Sequence, residues 1–97
     1  MKNLHNNDII YLNPDVLIRF ERNVQDGVLF LFNINTKEFW IGNESTFDLI
    51  KSINYTKIDD LYDYACNFYK DFDINTIKNS INVILLELIS KKFLLIQ

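Results

Sequence analysis

The rhythm of apolar and polar positions changes once along this chain. Up to Ile41 the apolar residues alternate or run in short blocks; beyond Gly42 they recur every three or four residues. Residues 16–22 place Val16, Ile18 and Phe20 on one side and Arg19 and Glu21 on the other, the period of a half-buried strand. Asp26 and Gly27 signal a turn. Residues 28–32, Val-Leu-Phe-Leu-Phe, are apolar on both faces, which predicts a central strand covered on both sides. Residues 33–37 make the next turn, and residues 38–41 the third strand. Strands joined this closely predict an antiparallel meander with the third strand at an edge.

Gly42 is expected to break that strand. Asn43 suits an N-cap, and Glu44 suits the positive end of a helix dipole. The first helix is predicted to bury Phe47, Ile50 and Ile53. Thr56 with Asp59 reads as a capping pair for a second helix, whose apolar stripe is Ile58, Leu61, Ala65, Phe68 and Tyr69. Asp73 caps a third helix with an inner stripe of Ile74, Ile77, Ile81, Ile84 and Leu88. Leu85 and Ile89 widen this stripe on one flank, and Leu86 and Val83 lie further round. An apolar arc so wide either sits deep in a core or offers a second face to a partner; both readings stand at this point. Residues 93–97 are an apolar tail, a helix end or a short strand, and about the first eight residues are expected to be loose. The pattern predicts an α+β fold, a three-stranded antiparallel β-meander followed by three α-helices, in a single domain spanning residues 1–97.

Composition narrows the function more than the fold. The length of 97 residues suits one hydrophobic core. The net charge of -3, with no clustered basic face, argues against a phosphate-binding surface and hence against nucleic acid. Cys66 stands alone and cannot form an internal disulfide, which fits a reducing compartment. The N-terminus lacks a signal-peptide pattern, and the apolar run 83–86 stops at Glu87, too short to cross a bilayer. A cytoplasmic protein is expected. His5 and Cys66 fall short of the roughly four ligands a zinc site needs. Nucleophile–base pairs, phosphate loops and zinc-protease motifs are missing, so neither catalysis nor a cofactor is expected.

The candidate site is therefore a binding surface. An edge strand at Glu38, Phe39, Trp40 and Ile41 offers unpaired backbone groups to an incoming chain. A few such hydrogen bonds, at about 0.5–1.5 kcal/mol each, fall short of the roughly 8 kcal/mol that micromolar binding requires. Side-chain pockets must supply the rest, and one flank of the third helix, Lys78, Asn82, Leu85 and Ile89, is the obvious source. Asp59, Asp60, Asp63, Asp71 and Asp73 form an acidic patch around the second helix, either serving the helix dipoles or docking a basic partner.

Several stretches together resemble the PqqD-like family, the precursor-peptide recognition elements of ribosomally made, post-translationally modified peptide pathways. They are Leu12-Asn13-Pro14; Phe30-Leu31-Phe32-Asn33; Phe39-Trp40 leading to Asn43-Glu44-Ser45-Thr46; Ile58-Asp59-Asp60-Leu61; and Leu88-Ile89-Ser90-Lys91-Lys92-Phe93-Leu94. The family usually has Leu where this chain has Gly42, and a Gly where it has Ser52-Ile53-Asn54. The resemblance implies a winged-helix-like domain that adds the leader of a precursor peptide as a strand beside its third strand, against its third helix. It also implies delivery of that substrate to a separate modifying enzyme, in many such pathways a radical SAM maturase. The competing class is a winged-helix nucleic-acid binder or transcriptional accessory protein. Acidic charge disfavours it, and so does the lack of a hairpin wing after the last helix.

Overall fold

A computed structural model describes residues 4–97. Six strands and three helices follow in the order β1 (Ile9–Leu12), β2 (Val16–Glu21), β3 (Val28–Asn33), β4 (Phe39–Gly42), α1 (Glu44–Lys51), β5 (Thr56–Lys57), α2 (Ile58–Phe68), α3 (Ile74–Ser90) and β6 (Leu94–Ile96). The expected meander is present: β2, β3 and β4 form an antiparallel sheet in that order, with β4 at an edge. The three helices follow it, making an α+β fold.

The tail resolves as a strand, and with it a second sheet appears. β1 lies between β5 and β6, antiparallel to both, with Ile10 opposite Thr56 on one side and Ile96 on the other. This sheet joins the start of the chain to its end. Of the opening stretch expected to be loose, residues 1–3 lie outside the described residues. Residues 4–8 carry a turn whose Asn6 and Asp8 carbonyls accept the N–H groups of Asp59 and Ile58 at 3.2 and 2.9 Å. That replaces the Thr56–Asp59 capping pair. Thr56 sits in β5, its Oγ1 accepts from the Asn54 N–H, and Lys57 at the N-cap of α2 supplies no side-chain bond. The first N–H groups of α2 need acceptors, and a distant backbone provides them.

The other two N-caps are as read. Asn43 accepts from Thr46 N at 3.0 Å, and Asp73 accepts from Thr76 N at 3.2 Å. Both sheets, α1, α2 and α3 enclose one core, which includes Ile10, Leu29, Leu31, Ile58, Leu61, Leu85, Leu88, Phe93 and Leu94, all buried.

Three sequence expectations are corrected by packing. The strand β3 is central but covered on one side only. Leu29 and Leu31 are buried, whereas Phe30 and Phe32 stay half-buried on the outer face, with the Phe39 ring 6.0 and 6.3 Å away. The inner stripe of α3 is Ile77, Ile81, Leu85 and Leu88, turned toward Leu85 from the expected centre, so that Ile74 is exposed and Ile84 half-buried. Phe68, expected in the stripe of α2, is 59% exposed at the helix end.

Candidate functional site

The aromatic strand that leads into α1 runs one residue later than its sequence suggests. Gly42 ends β4 as a paired residue, opposite Leu29. A Cβ at this position would meet the Trp40 indole at 2.3 Å. The indole, two residues earlier on the same face, occupies the space a larger residue at 42 would need. Glu38 lies outside β4: its carbonyl accepts from Asn33 N at 2.9 Å, and its N–H donates to Thr36 Oγ1. Its backbone closes the turn.

That turn bond fixes which groups of β4 are free. Hydrogen-bonded pairs alternate along an antiparallel ladder. With Asn33 bonded to Glu38, the next bonded pairs in register are Leu31 with Trp40 and Leu29 with Gly42. The N–H and C=O groups of Phe39 and Ile41 therefore point away from β3, toward the open edge, where no further strand pairs among the described residues. Their side chains lie on the outer sheet face, which also carries Leu17 opposite Phe32. Phe39, Ile41 and Leu17 are all exposed, Ile41 by 59%.

Where β4 ends, a cleft of about 360 Å³ begins. Asn43, Ser45, Thr46 and Leu49 of the α1 start form one wall; Ile77, Ser80, Ile81 and Ile84 of α3 form another. Tyr64, Phe68, Tyr69 and Phe72 supply the third. These aromatics touch in series: Tyr64 stacks on Phe68 at 6.2 Å, Phe68 meets Tyr69 edge-on at 4.9 Å, and Tyr69 meets Phe72 edge-on at 6.2 Å.

The flank of α3 expected to line a groove is not gathered into one site. Lys78 Nζ lies 5.5 Å over the Tyr62 ring, and Asn82 Oδ1 accepts a hydrogen bond from the Tyr62 hydroxyl. Both thus face α2. Burial pushes the Tyr62 phenol above its ordinary pKa, and Asp59 adds to the effect. Leu85 is fully buried in the core. Ile89 lies elsewhere, in a second apolar groove, of about 640 Å³, with Leu4, Val83, Leu86 and Ile96. The wide arc of α3 is therefore divided: one flank is core and α2 contact, one lines the aromatic cleft, and one lines this second groove. Of the eight residues expected in the site, Phe39 and Ile41 offer free edge groups, and Trp40 packs against the core beside them.

Sequence reasoning missed this cleft because it assigned Phe68 to the α2 core stripe; Tyr69, assigned there too, packs against the core and lines the cleft as well. The sequence held no clear signal: Tyr64, Phe68 and Phe72 recur at the spacing of a single helix face, and only the structure ends α2 at Phe68 and leaves Phe72 beyond it. No helix among the described residues is long and apolar enough to cross a membrane. No protein-family model, curated protein or solved structure matches the chain.

Proposed function

We propose that this domain binds the leader segment of a ribosomally synthesised precursor peptide by β-strand addition along β4 and presents it to a separate modifying enzyme, as in the PqqD-like family it resembles. The observation that carries this reading is the open edge of β4, where the free groups of Phe39 and Ile41 lead at Asn43 into an apolar cleft. An added strand would pair with those groups and set alternate side chains beside Phe39 and Ile41 on the outer face. The few backbone bonds give register, and apolar burial in the cleft gives affinity. The domain carries out no chemistry; its partner does, a radical SAM maturase being the class the resemblance favours. Both would meet in the cytoplasm.

The test is calorimetry with the peptide encoded by a short open reading frame neighbouring the gene for this chain, divided into leader and core. The leader alone is expected to bind as tightly as the whole precursor, and the core weakly. Equal affinity for leader and core overturns the proposal.

A further inference from the structure

Resting on the leader-binding reading, we propose that the cleft between α1, α2 and α3 takes a large apolar side chain of the bound peptide that is flanked by lysine or arginine. The apolar requirement comes from the walls. Phe68 and Phe72 are 59% and 62% exposed at the cleft, and Ile77, Ile81 and Leu49 lie buried behind the opening. Single exposed apolar residues are ordinary, but a contiguous run of touching rings around an open cleft marks an interaction surface.

The basic requirement comes from charge. Among the described residues the cleft lining holds one charged group, Asp48, already paired with Lys51 Nζ at 3.5 Å, so the charge a peptide meets comes from the aspartates around the cleft. The exposed Asp63, Asp71 and Asp73 are chain neighbours of the lining residues Tyr64 and Phe72. Between Ile58 and Thr76 the acidic residues are Asp59, Asp60, Asp63, Asp71 and Asp73, and the sole cation is Lys70. A peptide with acidic flanks would meet like charge there; one with basic flanks meets opposite charge, and its cations can lie over the open faces of Phe68 and Phe72.

The experiment is a titration of the ¹⁵N-labelled full chain with three synthetic peptides of equal length: Lys-Lys-Leu-Phe-Leu-Lys-Lys, its Glu-flanked counterpart, and Lys-Lys-Ser-Gly-Ser-Lys-Lys. The first is expected to shift the amides of Phe68, Phe72, Ser80 and Ile84 and to bind at least about tenfold more tightly than either other peptide. Phe68→Ala and Phe72→Ala, at exposed positions, should keep the native spectrum and weaken it by about tenfold. Added salt should weaken it too. Equal binding of the Glu-flanked peptide, or amide shifts lying outside the cleft, overturns the inference. The two proposals fail separately. A leader that shifts Phe39 and Ile41 without the cleft amides removes this site and keeps strand addition. Cleft binding by the first peptide, with a leader that fails to bind, removes the leader reading and keeps the cleft's preference.

Discussion

Lys92 lies one residue past the C-cap of α3, in the left-handed region at φ 63. Its N–H bonds the Ile89 carbonyl at 3.0 Å, and the N–H of Phe93 bonds Leu88 at 2.9 Å, the paired geometry of a Schellman stop with Leu88 and Phe93 both buried. An L side chain in this conformation costs about 1–2 kcal/mol. Lys92→Gly should therefore raise stability by about 1 kcal/mol, read as a higher urea midpoint with an unchanged slope. The Lys92 carbonyl accepts from both Asn13 Nδ2 and Asn33 Nδ2, each at 2.8 Å. Asn33 is wholly buried, and its Oδ1 also accepts from the N–H groups of Asn35 and Thr36. This side chain ties the end of the meander to the end of α3. Asn33→Ala removes all three bonds, at about 0.5–1.5 kcal/mol for each; the Lys92 carbonyl keeps its bond from Asn13 Nδ2, and Asn35 and Thr36 are exposed residues. A loss of at least about 2 kcal/mol in chemical denaturation is expected; an unchanged midpoint would show that water replaces the amide.

At the scale of elements, β4 separates pairing that holds the sheet from pairing left over. Proline lacks an N–H and is tolerated in a strand where that group points outward. The N–H of Ile41 points to the open edge by the ladder alternation. Ile41→Pro should keep the native circular dichroism spectrum and weaken leader binding by at least about tenfold, since it removes an edge donor and sets a ring where a strand must dock. Retained affinity in this folded variant would move the leader off the β4 edge. The meander, the caps Asn43 and Asp73, and the helix order were legible because each rests on local spacing or on one residue's bond to its own backbone neighbours. The second sheet was not legible. β5 has two residues and β6 three; β5 pairs with β1 across about half of the chain and β6 across most of it, so no local window of sequence contains either pairing.

For the whole molecule, a domain of 97 residues has one core and a stability of roughly 5–15 kcal/mol. Leu85 lies wholly buried in that core. Leu85→Asp puts a carboxylate where no cation is placed to meet it, and removes an apolar side chain whose loss alone costs about 2–5 kcal/mol. This variant should lose its folded circular dichroism signal at room temperature. A folded Leu85→Asp protein would mean that α3 can rotate its Leu85 flank outward. Such a rotation would restore the groove of Lys78, Asn82, Leu85 and Ile89 expected from the sequence.

The sequence alone determined that a three-stranded meander precedes three helices, that the last strand of the meander is an edge, and that the net charge is acidic; these follow from periodicity, turn residues and charge count. Only the tertiary structure decided which arc of α3 is free. A helical wheel gives the angle between residues but not the direction of the core, and here the core lies on the Leu85 side because α2 packs there through Tyr62 and Asn82. That rotation turns Ser80 and Ile84 to the cleft and buries Leu85, a choice made by residues about twenty positions away in the chain rather than by α3 itself.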